Sequence, residues 1–345
     1  MASAVEYAPA LVSAGWLRSR SFDLRFILAV AGIALFSGLV TAANRQLFGL
    51  VLLLDLWLLG YHHVVATGTR LCFDRTSLRE HRFLVFGLPP LVLLGTVSAA
   101  WGLGEWSITT TYFYWQWFHY TRQSYGIAQV YRRKSGGLAS EREDLSRLAF
   151  YLVPLWGILH RSAQEPGLFL GLPLRVLPVT PLVVDVVGAA ALAGLGWWAL
   201  LRIRAWGQGR LPVAHTLYVA THHLIFATGY VLIPDVDCGW LVLNVWHNAQ
   251  YLLFVWMFNA NRFKGGVDPE ARFLSTISQE QRTLLYTGVC LAISTALYLA
   301  IGHVAAVLPV ALVTYQAINF HHYVVDGVIW KVRKKSLRKT LQIDA

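Results

Sequence analysis

Twelve histidines are present. Nine of them, His62, His63, His119, His215, His222, His223, His247, His321 and His322, lie inside long apolar stretches rather than in polar loops. An ionisable side chain surrounded by hydrocarbon is costly; it persists where it faces a bundle interior, as a metal or cofactor ligand, a proton relay or an interhelical hydrogen-bond partner. Imidazole suits iron, copper and zinc alike, and histidine with an occasional carboxylate and open coordination positions fits oxygen-activating non-haem iron best. Polar partners stand at helical spacing from these histidines. Asp55 is seven residues before His62, Asp326 four after His322, Gln123 four after His119, Gln250 and Tyr251 three and four after His247, and Asn319 three before His322. Such spacings put side chains on one helix face, where a carboxylate can join the ligands or orient one of them. Neighbours on a helix project about 100° apart, so one member of each His-His pair is expected to face the site. His63, His119, His223, His247 and His322 are the favoured ligands, with His62, His222 and His321 as the second members of their pairs. Asp326 is expected as orienter or further ligand, Asp55 as an orienting carboxylate, and Tyr251 as a donor of a proton or an electron. His215 is expected near the membrane edge, and His81, His160 and His303 at span ends or in a loop.

The elements that must carry these residues follow from composition. Of 345 residues, 56% are hydrophobic and 14% charged, and mean hydropathy is +0.50, whereas a soluble domain carries about 25% charged residues. The excess of apolar residues needs a membrane as solvent. Stretches long enough to cross about 30 Å of hydrocarbon, roughly 20 residues each, fall near 26–43, 47–68, 83–104, 106–131, 145–161, 181–203, 211–233, 239–260, 283–305 and 306–330. The expected fold is all-α: a polytopic transmembrane bundle of about ten spans, residues 1–345 forming a single membrane domain with short tails at 1–25 and 331–345. Lysine and arginine collect in alternate loops, among them Arg70, Arg75, Arg79 and Arg82, then Arg132, Arg133 and Lys134, then Arg262 and Lys264, and the C-terminal cluster, whereas the intervening loops hold only Arg45, Arg161 and Arg175. By the positive-inside rule both termini are cytoplasmic, and a bacterial inner (plasma) membrane is the expected location. The formal net charge of +11 is therefore a matter of topology, and no nucleic-acid partner is implied. Cys72, Cys238 and Cys290 form no CxxC and read as packing residues. No removable signal peptide is evident, and the first span is expected to do the targeting. Trp101, Trp106, Trp240 and Trp330 read as an interfacial belt.

Depth links the histidines to one another. Counted from the predicted cytoplasmic ends at 3.6 residues per turn, His62 and His63 lie about two turns in, His119, His222 and His223 about three, His247 about four, and His321 and His322 about two. Five helices offer histidine at similar depth.

Several segments, Gly60-Tyr61-His62-His63, Phe118-His119-Tyr120, Val245-Trp246-His247 and Phe320-His321-His322-Tyr323-Val324-Val325-Asp326, resemble the membrane carotenoid cleavage enzymes of the Brp/Blh type, the bacterial β-carotene 15,15′-dioxygenases. The resemblance covers short patches. It implies intramembrane histidines from separate helices holding a non-haem iron beside a lipophilic substrate. In that family an aspartate follows the early histidines, whereas here the stretches read Val64-Val65-Ala66-Thr67 and Thr121-Arg122-Gln123. The HxxxH and HxxHH boxes of membrane desaturases are absent. His247-Asn248-Ala249-Gln250-Tyr251 has the H-x-x-x-Y spacing of haem-copper oxidases, but chain length and motif order differ.

The sequence thus predicts an oxidoreductase or oxygenase with one or two non-haem iron ions, copper or haem being less favoured, acting on a carotenoid or other lipid and drawing on an electron donor. The alternatives are a histidine-based proton or metal transporter, separated by its lack of stoichiometric iron, and a haem electron-transfer protein, separated by its visible spectrum. A transporter built on inverted repeats would also show broken helices, and no internal repeat is evident.

Overall fold

The computed structural model describes residues 15–138, 140–307, 311–332 and 334–343. Residues 1–14 of the N-terminal tail, Arg333 of the basic C-terminal cluster and the 308–310 part of the last expected span lie outside the described residues.

The chain is nearly all helical. Its helices are α1 (Arg20–Ala43) and α2 (Arg45–Cys72), α3 (Arg75–Glu80), α4 (Phe83–Leu103), α5 (Glu105–Ser135), α6 (Glu143–Ala163), α7 (Pro181–Gly207), α8 (Val213–Ala227), α9 (Val236–Arg262), α10 (Arg272–Ile277), α11 (Thr283–Val307), α12 (Ala311–Ile329) and α13 (Lys335–Leu341). Among the described residues, five helical segments are long and apolar enough to cross a membrane: α1, α2, α4, α7 and Glu280–His303, which includes most of α11. The remaining long helices carry more polar side chains, and α9 shows why. Its side chains from Asp237 to Asn248 are all buried, as are most of those beyond, so its histidine, asparagines and glutamine face the protein interior. A helix buried all round is a central one.

Helix α9 packs on α1, α2 and α8, with α5 and α12 completing the interior; α6 and α7 form a pair to one side and α4 lies along α12. Close approach is enabled by glycine: a Cβ at Gly239 would collide with the Gly229 carbonyl oxygen, and one at Gly38 with Val242. The charged ends sort into two groups. At one end Arg45, the first residue of α2, pairs with Asp235 at 3.1 Å and Asp237 at 2.6 Å, and the buried Arg161 guanidinium donates to the carbonyl oxygens of Pro234 at 2.7 Å and Gly229 at 2.9 Å. Asp235 also caps α9 by accepting from the Cys238 N–H at 2.8 Å. At the other end Arg18 pairs with Glu280, Arg79 with Glu270, and Arg262 with Asp74 at 2.5 Å. These contacts set α2 and α9 running opposite to α1.

Among the described residues one element, a hairpin, is not helical. Strands β1 (Leu168–Phe169) and β2 (Leu172–Pro173) pair antiparallel about a two-residue turn in which both Leu170 (φ 53°) and Gly171 (φ 77°) are left-handed, as the favoured hairpin turn requires. Asp237 holds this turn by accepting from the Leu170 N–H at 2.8 Å, and Phe169 is buried against Tyr112, Phe113 and Trp240. Trp240 is thus a packing residue of the interior, not a belt residue.

Candidate metal centre

Four helices bring one histidine each to a common point: His63 from α2, His119 from α5, His247 from α9 and His322 from α12. Ring centroids are 4.6 Å apart for His63 and His322, 4.9 Å for His119 and His247, 5.2 Å for His119 and His322, and 5.4 Å for His63 and His247. All four are buried. Ligand atoms of His63, His247 and His322 lie within 4.8 Å of one another, as do those of His119, His322 and Asp326, so both triads could hold a metal ion. The Nε2 atoms of all four, and Nδ1 of His63 as well, have no hydrogen-bond partner. Unpartnered buried nitrogens are costly, and several converging on one point are what a cation relieves.

Hydrogen bonds around His322 fix its tautomer. His322 Nδ1 lies 3.1 Å from Thr67 Oγ1, Thr67 Oγ1 2.5 Å from the Tyr251 hydroxyl, and the Tyr251 hydroxyl donates to Asp326 Oδ1 at 2.8 Å while accepting from Trp330 Nε1 at 3.0 Å. Read in one direction, His322 N–H donates to Thr67, Thr67 to Tyr251 and Tyr251 to Asp326, and each hydroxyl proton is used once. His322 Nε2 is then left with a bare lone pair 3.5 Å from Asp326 Oδ2, and His119 Nε2 lies 3.9 Å from the same oxygen. A cation between these facing acceptors, or a proton on one of them, would satisfy both. The Arg70 guanidinium covers this network, 3.8 Å from the Trp330 ring centroid.

Tyrosines set the ring planes. Tyr120 stacks on His247 at 4.1 Å and Tyr323 on His119 at 4.4 Å between centroids. Tyr120 in turn donates to Asn244 Oδ1 at 2.5 Å, and Asn244 Nδ2 donates to the Asp55 carboxylate.

Not every histidine expected at the site is brought to it. His222 and His223 of α8 sit instead against α6 and α7: His222 is satisfied at both nitrogens, by Ser124 Oγ at 3.0 Å and the Phe150 carbonyl at 3.1 Å, and His223 packs on Trp198 and Phe150. His223, expected as a ligand, is not brought into either triad; both its ring nitrogens are buried without a hydrogen-bond partner against Trp198 and Phe150. His321 faces α4, bonded to the Leu84 carbonyl at 2.7 Å, and His62 bonds the Leu58 carbonyl at 3.2 Å. Asp55 supports Asn244, not a histidine, because the π-helical turn Leu56–Gly60 changes the phase between Asp55 and His62; such turns accompany functional sites. Gln250 accepts from Tyr218 at 3.1 Å and so faces α8. His215, near the start of α8, is buried beside Arg132, Glu141 and Arg147 and lies outside both triads. Thr67 and Trp330, read in the sequence as a plain stretch and a belt residue, both belong to the network; their only signal was helical spacing, Thr67 four residues after His63 and Trp330 four after Asp326.

A cavity of about 500 Å³ opens on the cluster. His119, Tyr251, Asp326 and Tyr323 form its inner end, Trp115, Phe118, Phe254 and Trp330 line it, and Arg122, Arg133 and Lys331 are also in its wall. The chain matches no protein-family model, no curated protein and no solved structure, so the reading of this site rests on its own geometry.

Proposed function

We propose that the chain is a membrane-embedded non-haem iron oxidoreductase or oxygenase acting on a lipophilic substrate. The observation that carries this reading is the pair of buried triads, His63 with His247 and His322 and His119 with His322 and Asp326, whose histidine Nε2 atoms have no hydrogen-bond partner, beside a cavity lined by His119 and Asp326. A set of imidazoles with one carboxylate suits iron, with copper second, and bound iron would supply oxygen activation. Haem fits poorly: the four rings pack edge to face at centroid separations of 4.6–5.4 Å, which leaves no room for a macrocycle between any two. The chain's own groups have evident parts to play. Thr67 holds the tautomer of His322, Tyr120 and Tyr323 hold ring planes, and Tyr251 is positioned to pass a proton to Asp326. In this reading the protein spans a bacterial inner membrane about ten times with both termini in the cytoplasm, and the opposed directions of α1 and α2 support that topology.

A second reading, a proton relay or metal transporter, is favoured by one observation: Asp55, Gln116 and Asn248 are buried, giving α2, α5 and α9 further polar groups outside the cluster, with both amide atoms of Gln116 unpartnered. Elemental analysis of the purified protein together with its absorption spectrum separates the two. Stoichiometric iron without a Soret band is the expected result, and metal-free protein that conducts protons would replace the first reading with the second.

A further inference from the structure

We propose that the cavity binds a single-chain amphiphile with an anionic head, the head held by Arg133 and Lys331 and the chain running along α5 to the histidine cluster. The cavity wall follows one stripe of α5 from Trp115 through Phe118, Arg122, Gly126 and Gln129 to Arg133. From His119 to Arg133 is fourteen residues, or about 21 Å at 1.5 Å per residue, the reach of a long alkyl chain. A volume near 500 Å³ falls within the ~300–1,000 Å³ of sites for one small molecule. Polarity runs one way along it. Asp326, at the inner end, is the one acid in the wall; beyond it the charged groups are cations. Arg122 is directed elsewhere, donating to the Tyr151 hydroxyl at 3.2 Å, which leaves Arg133, at the far end of the α5 stripe, and Lys331, five residues beyond Asp326, as the wall's cations for a carboxylate or phosphate. Leu337 and Leu341 of α13 close the wall near them and are themselves buried. A neutral hydrocarbon would use the walls and leave both cations idle.

The inference rests on the cluster reading only for the purpose of the chain's arrival there; binding itself is separable. The test uses a long-chain fatty acid carrying a diazirine at its methyl end and the matching fatty alcohol, each photolysed with the protein in phosphatidylcholine nanodiscs, with labelling normalised to the outward-facing Phe36 and Leu94. The acid is expected to label Trp115, Phe118 or Tyr323, and Arg133→Gln with Lys331→Gln to cut that labelling about tenfold or more, the loss of charge-assisted hydrogen bonds, while the alcohol's labelling is weak and unchanged. Equal labelling by acid and alcohol, or labelling that survives the double substitution, overturns the proposal. Competition by unlabelled fatty acid or by lysophosphatidate supports it and identifies the head as carboxylate or phosphate; competition by neither overturns it. The measurement is repeated after chelator treatment, so that failure of the iron reading leaves this pattern intact and failure here leaves the metal content untouched.

Discussion

Tyr120 lies over the imidazole of His247, 4.1 Å between ring centroids with 29° between planes, and the same tyrosine is hydrogen-bonded to Asn244, one turn before His247 on α9. One side chain of α5 therefore grips α9 twice, immediately beside its own neighbour His119. The stack fixes a ring plane and the hydrogen bond fixes the stack.

Separating the two contacts gives a prediction. Tyr120→Phe keeps the stack but strands Asn244 Oδ1, at a cost of about 1–3 kcal/mol for an unsatisfied buried acceptor; thermal unfolding should fall while metal content holds. Tyr120→Ala removes the plane that orients His247, and metal affinity should drop about 10–100-fold, the usual effect of losing an orienting partner. Equal metal retention in both variants would show that the stack does nothing for the ligand.

Thr67 offers a sharper test, because its hydroxyl reaches the cluster through side chains around it, at 3.1 Å from His322 Nδ1, 2.5 Å from the Tyr251 hydroxyl and 3.4 Å from Asp326 Oδ1. Thr67→Val, of similar shape, should lower metal affinity by about 10–100-fold, and Thr67→Ser, which keeps the hydroxyl, should restore most of it. Asp326→Asn should lower retained metal further, since its Oδ2 faces both His119 and His322, with the protein still folded. Chelator competition reads all three. A serine variant no better than valine would mean that packing and not the hydrogen bond matters at position 67.

The shared level of four histidines along their helices was legible from the sequence, and azimuth was not. His63, His119, His247 and His322 were recognisable because span ends and basic loops fix how far each lies along its helix. Which way each points depends on helix rotation, and here the reading parted from the structure. His223 packs on Trp198 and joins neither triad, and the π-helical turn Leu56–Gly60 breaks the seven-residue spacing that tied Asp55 to His62. Asp326 was well placed because only regular α-helix separates it from His322. The hairpin at Leu168–Pro173 was invisible: its turn has a leucine at positive φ, a conformation imposed by Asp237 and the burial of Phe169 rather than by local preference.

The charged ends predict topology. Arg45 and Arg161 gather around the 229–237 segment while Arg18, Arg79 and Arg262 pair at the opposite end. In a cysteine-free background, Val236→Cys should be labelled by an impermeant maleimide only from outside the cytoplasm, and Arg79→Cys only from inside. Labelling of both positions from one side would break the assigned alternation.

The contrast among histidines decides most. Alanine at His63, His119, His247 or His322 should each remove most of the iron, since ligands fail as a set, and double substitutions should be little worse than singles because residues sharing one site are not additive. Alanine at His222 should leave the metal in place and lower stability instead, as it strands Ser124 and the Phe150 carbonyl; alanine at His223, His321 or His62 should also keep the metal. A purely structural role for every histidine makes a different forecast, in which damage follows burial. His222 is as buried as any of the four, so on that account its alanine variant would lose as much metal as His247→Ala. Parallel elemental analysis of the eight single variants, each checked for folding by its thermal transition, therefore tells convergence from burial; metal loss at His222 matching that at His247 would dissolve the site into ordinary packing.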